Sequence, residues 1–159
     1  MSLLAEVVTT RPDAAKFWLF VHILGGMATV GALTLCLIAL VGAWRSGSIS
    51  LTRLGYRALL WGAVPSFIVM RVAAQIVLNK EGLDGDEVDL TWINIGFTVT
   101  DFGLLFLIIT TVLTGLAVRK QTRGGPEGPS IGVRISTGLV SLLLIGYLIA
   151  VWAMTVKPT

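Results

Sequence analysis

The chain has 159 residues, of which 55% are hydrophobic and only 13% charged, and its mean hydropathy is +0.86. A soluble domain of this length must cover a large surface with polar groups, so these values exclude an ordinary soluble domain and point to a single domain, residues 1–159, in a lipid bilayer. The net charge of +3 does not indicate nucleic acid, because the basic residues sit beside apolar segments, where membrane topology places them.

The first 13 residues include Glu6, Arg11, Pro12 and Asp13. The first long apolar run follows them and exceeds a signal-peptide core, so no cleavable leader is expected. A bilayer core about 30 Å thick takes about 20 apolar residues as a helix. Spans of that kind are predicted at 17–44, 54–79, 91–118 and 135–156. None alternates with period two, as a barrel strand would. The expected fold is all-α, a transmembrane four-helix bundle.

The first span holds the lone Cys36, which has no intrachain disulfide partner and reads as a small hydrophobe. The loop after it carries Arg45, Arg53 and Arg57. The loop before the last span carries Arg119, Lys120, Arg123 and Arg134 against Glu127. The middle loop, 80–89, is strongly acidic. Short basic loops stay in the cytoplasm, so the acidic loop and both termini are expected outside, in the inner membrane of the cell. The acidic loop lacks the twelfth-position glutamate of a calcium loop and reads as solvated. The stretch Gly124-Gly125-Pro126-Glu127-Gly128-Pro129 reads as a tether.

Leu54-Gly55-Tyr56-Arg57 resembles Ile131-Gly132-Val133-Arg134, and the ends of the first and third spans match loosely, which fits either a parallel repeat of two hairpins or topological coincidence. Small residues in the first, second and last spans, among them Gly25, Gly26, Ala28, Gly31, Ala32, Gly62 and Gly138, are expected to allow close helix approach. Pro65 is expected to kink the second span and free a carbonyl. Trp18, Trp44, Trp92 and Trp152 lie near span ends, as interfacial indoles do, whereas Trp61 lies deeper and is expected to pack inside.

Charged residues within a span are the strongest functional signal in such a chain, since each costs about 2.5–3.5 kcal/mol at a helix centre. Arg71 lies eight residues from Asn79, about 12 Å along a helix, and Asp101 lies ten from Thr91, about 15 Å. Equal depth on consecutive spans predicts an ion pair. Gln75 shares a face with Arg71, while Asn94, Thr98 and Asp101 form one stripe. His22 and Tyr147 reach similar depth from the same side, so these seven residues are expected to line one outward-facing polar cavity. The pair alone could equally serve only to lock two helices in register.

The stretch Trp18-Leu19-Phe20-Val21-His22-Ile23-Leu24-Gly25-Gly26, followed by Gly31, resembles the first span of small uncharacterised bacterial membrane proteins, loosely like the copper-resistance D-type membrane domain. That resemblance implies a metal role for His22. The residues themselves supply no bis-histidine or Cys-x-x-Cys pattern, so no cofactor is expected from them; haem or copper at His22, in a symmetric dimer, stays open.

No activated nucleophile, carboxylate dyad or phosphate loop is present, which argues against an enzyme. The leading expectation is a transport or binding protein whose Arg71 meets a small solute, anion or proton from outside. A structural or accessory subunit of a membrane complex, or a homo-oligomer, is the rival.

Overall fold

In a computed structural model, residues 13–81, 91–124 and 130–156 are described. They form α1 (Asp13–Ser46), α2 (Ile49–Glu81), α3 (Thr91–Thr122) and α4 (Ile131–Val156). Each is long and apolar enough to cross a membrane. Lys80 and Glu81 close α2 rather than opening the acidic loop; the rest of that loop and most of the Gly/Pro tether lie outside the described residues.

The helices run past the hydrophobic stretches. Arg45, Arg53, Arg57, Arg119, Lys120 and Arg134 lie on helical turns rather than in loops. Arginine and lysine are good helix formers, and their stems lie along apolar surface while the charge reaches water. Only Gly47 and Ser48 separate α1 from α2. Gly47 has a φ of 69°, the left-handed cap conformation that glycine adopts without steric cost, and its N–H donates to the Ala43 carbonyl at 2.8 Å.

Pro65 acts upstream of itself. The segment Ala58–Ala63 is a π-helix between Ile49–Arg57 and Val64–Glu81, with the Val64 N–H donating to the Leu59 carbonyl. Proline has no N–H and its ring crowds the preceding turn, so one widened turn absorbs the misfit. The Ser66 hydroxyl lies 2.7 Å from the Gly62 carbonyl and serves as its donor. The continuous α4 has no matching π turn. Trp61, within the widened turn, is 78% exposed and does not pack inside as expected: it continues the exposed row of Leu54 and Arg57 at helical spacing.

The helices form an antiparallel ring in chain order, each packed on its two neighbours. Gly25 faces Met70 and Gly62 faces Ala32 between α1 and α2; Gly103 faces Tyr147 and Gly132 faces Ala117 between α3 and α4. Asp13, Glu81, Thr91 and Val156 therefore share one end, the terminal end, and the arginines above share the other. At that basic end Arg53 donates to the Thr122 hydroxyl at 3.3 Å, and Arg134 lies 5.7 Å from the Trp44 ring centroid.

The core comprises Leu33, Cys36, Leu40 and Ala43 of α1; Ala58, Leu59, Ala63, Phe67 and Met70 of α2; Leu107 and Ala117 of α3; and Val133, Val140, Leu143 and Tyr147 of α4. With the buried Gly103, Thr110 and Thr114 of α3 and Ser136 of α4 included, and the adjacent Ala58 and Leu59 taken as one step, they recur every three or four residues, one stripe per helix. The opposite faces are also apolar: Phe20, Met27, Ile38, Phe102, Leu105, Ile145 and Trp152 are all more than half exposed. Apolar residues on both faces of every helix suit a bundle surrounded by lipid. Not every small residue serves packing. A Cβ on Gly31 or Gly138 would meet nothing within 4 Å, and Ala28 is exposed.

Candidate polar site between helices 2 and 3

Helix α2 packs on α3 through Ile49–Arg57, but its Val64–Glu81 part stands off. Arg71 spans the resulting gap. Its Nη2 lies 3.3 Å from Asp101 Oδ1, and its guanidinium lies over the Phe97 ring, 4.5 Å from the centroid. Phe97 and Asp101 are four residues apart on α3, so ring and carboxylate are neighbours on one helix face and the guanidinium meets both. Phe97 was missed in the sequence, although that spacing signals it.

This pair lies on the bundle surface. The Arg71 side chain is 30% exposed and that of Asp101 66%. Gln75 donates from Nε2 to Asn79 Oδ1 at 3.1 Å on the same exposed face of α2, and Asn94 and Thr98 are exposed along α3. Around them Ile68, Val69, Val72, Phe102 and Leu105 are exposed apolar residues.

His22 and Tyr147 lie elsewhere, so the residues expected to line one cavity divide among three places. His22 Nδ1–H donates to the Met70 carbonyl at 3.0 Å from the α1 side. Met70 and Arg71 are consecutive, hence about 100° apart around α2, and face different neighbours. Tyr147 is 5% exposed and meets the edge of Phe67, with ring centroids 6.3 Å apart. It touches α3 at Gly103, which points inward while Asp101, two residues earlier, points outward.

The Tyr147 hydroxyl has no hydrogen-bond partner among the described residues, and a Cβ on Gly103 would lie 2.9 Å from it. A buried hydroxyl that satisfies nothing contributes no stability. Tyr147→Phe is therefore expected to leave thermal stability in micelles unchanged or raise it by up to about 1 kcal/mol. Gly103→Ala is expected to cost about 1–2 kcal/mol through overpacking, and Tyr147→Phe should relieve that cost. Additive effects in the double variant would show that the alanine clashes elsewhere.

A metal at His22 would need further donors. Among the described residues no three His, Cys, Asp or Glu side chains gather to hold an ion, and Cys36 lies fourteen residues along α1 from His22, about 21 Å. Among the described residues, then, His22 has no cage of metal ligands around it.

The fold and this surface define a four-helix, multi-pass membrane protein with an ion pair on the flank of its bundle. No known protein family matches the chain, and neither a curated protein nor a solved structure does.

Proposed function

We propose that the protein is a non-enzymatic membrane subunit that binds a protein partner within the bilayer through the polar face of α2 and α3. The observation that supports this is the exposure of Asp101, 66%, at membrane depth on a face it shares with Gln75, Asn94 and Thr98 and that exposed apolar residues surround. A charged side chain at a helix centre costs about 2.5–3.5 kcal/mol; Arg71 meets one oxygen of Asp101, and a protein surface covering the rest of the carboxylate lowers the cost further. By the positive-inside rule the basic end lies in the cytoplasm, and the docking face belongs to the outer half of the inner membrane.

The test places a nitroxide at Thr98, through Thr98→Cys in a Cys36→Ala background, in native membranes. Shielding from lipid-soluble oxygen is expected. Full accessibility, equal to that of a label at the exposed Phe20 on α1, across the bundle from this face, would sink the reading.

A second reading, binding or transport of a small solute, anion or proton at Arg71, draws support from the stand-off between α2 and α3 that Arg71 bridges. It expects Asp101→Asn to abolish uptake while leaving the Thr98 label accessible.

A further inference from the structure

We infer that the partner on this face is a second copy of the chain, docked about a two-fold axis along the membrane normal, so that each Arg71 guanidinium meets the other copy's Asp101 carboxylate. The inference rests on the preceding proposal that protein covers the face, and it names that protein.

The argument begins with charge. Arg71 and Asp101 touch, so both signs lie side by side at one depth in a patch of no net charge. A partner bringing a single excess charge would satisfy one member and repel the other. A partner bringing the same pair, turned by half a rotation, satisfies both, which is the self-complementarity of an isologous interface. The axis direction follows from the ends of the bundle. An axis in the membrane plane would put the two basic ends on opposite sides of the bilayer, against the positive-inside rule; an axis along the normal keeps them together and preserves depth.

Hydrogen-bonding capacity agrees. A guanidinium has five N–H donors and a carboxylate two acceptor oxygens. Among the described residues Arg71 makes one hydrogen bond, from Nη2 to Oδ1, so most donors and the second carboxylate oxygen remain for the other copy. Two arginines and two aspartates would then alternate around a closed ring, the bidentate geometry arginine favours. The flanking Gln75, Asn79, Asn94 and Thr98 each carry both a donor and an acceptor, so none forbids meeting a copy of the same face.

The experiment uses the full chain in liposomes, with association read by single-molecule photobleaching. The wild type is expected to dimerise. Arg71→Asp alone and Asp101→Arg alone each place like charges across the axis and should weaken association about a hundredfold. Mixed together, these two variants present opposite charges at both contacts and should recover heterodimers close to the wild-type level. Should both charge variants misfold, Thr98→Cys in Cys36→Ala, with the pair intact, decides through dimer capture by a short bismaleimide. Monomeric wild type with a shielded Thr98 label would overturn the second copy and leave the docking proposal standing, with a different protein as partner. Monomeric wild type with a lipid-accessible label would overturn both. Undiminished association of the single variants, or no recovery in the mixture, would overturn the two-fold pairing.

Discussion

Gly25→Val is expected to lower the stability of the bundle by about 2–4 kcal/mol, the largest loss of any single glycine substitution in α1. A Cβ there would lie 3.0 Å from the N, Cα and Cβ of Met70. These are backbone or backbone-anchored atoms and cannot rotate away, so the two helices must separate. Separation carries further losses. The His22–Met70 hydrogen bond lies one turn toward the terminal end. One turn the other way, the Thr29 and Ser66 hydroxyls meet at 2.9 Å, and Gly62 then faces Ala32. Overpacking costs about 1–3 kcal/mol and each interhelical hydrogen bond in a membrane is worth about 0.6 kcal/mol, which together give the range stated.

Two neighbouring glycines serve as controls. At Gly26 a Cβ would meet only the flexible Met70 Sδ at 3.6 Å, and at Gly31 nothing within 4 Å. Gly26→Ala should be nearly neutral, and Gly31→Ala neutral or stabilising by up to about 1 kcal/mol through helix propensity. Thermal unfolding in micelles ranks the three. Equal losses at Gly25 and Gly31 would show that α1 and α2 do not cross at Gly25.

These three glycines also show what hydropathy can and cannot reveal. The four spans were legible because length and apolar content are properties of the chain alone, as was the shared depth of Arg71 and Asp101, which needs only residue counting from the span ends. Rotation about each helix axis was not legible. A span apolar on all sides has no periodic signal to separate Gly25, which meets Met70, from Gly31, which meets nothing. The same ambiguity hid the outward turn of Trp61 and the surface position of Asp101. The His22 contact was hidden for another reason: its acceptor is the Met70 backbone carbonyl, which every residue type supplies. Pro65 signalled a disturbance, but that it takes the form of a π turn over Ala58–Ala63 depends on tertiary packing.

Asp101→Ala is expected to cost about 2–3 kcal/mol in the micelle-bound protein, on the insertion scale for a lone arginine at membrane depth, and Arg71→Leu distinctly less. The asymmetry is chemical. A carboxyl group left alone in hydrocarbon can be neutralised by taking up a proton, whereas a guanidinium cannot shed one under any ordinary condition. Arg71 would retain its Phe97 contact, which offsets only part of the unpaired charge. The double variant Arg71→Leu/Asp101→Ala should recover most of the loss and approach wild-type stability, because removing both ions removes the desolvation penalty together with the attraction. Chemical unfolding of the four proteins closes the cycle. A double variant that loses the full sum of the single effects would mean that the two residues act independently. Recovery has a consequence for function as well. If the bundle stands as well without the pair as with it, the pair is not what holds α2 to α3, and its place on the outer face is explained by what docks there. The double variant should then fold normally yet fail to dimerise in liposomes, separating recognition from stability in one protein.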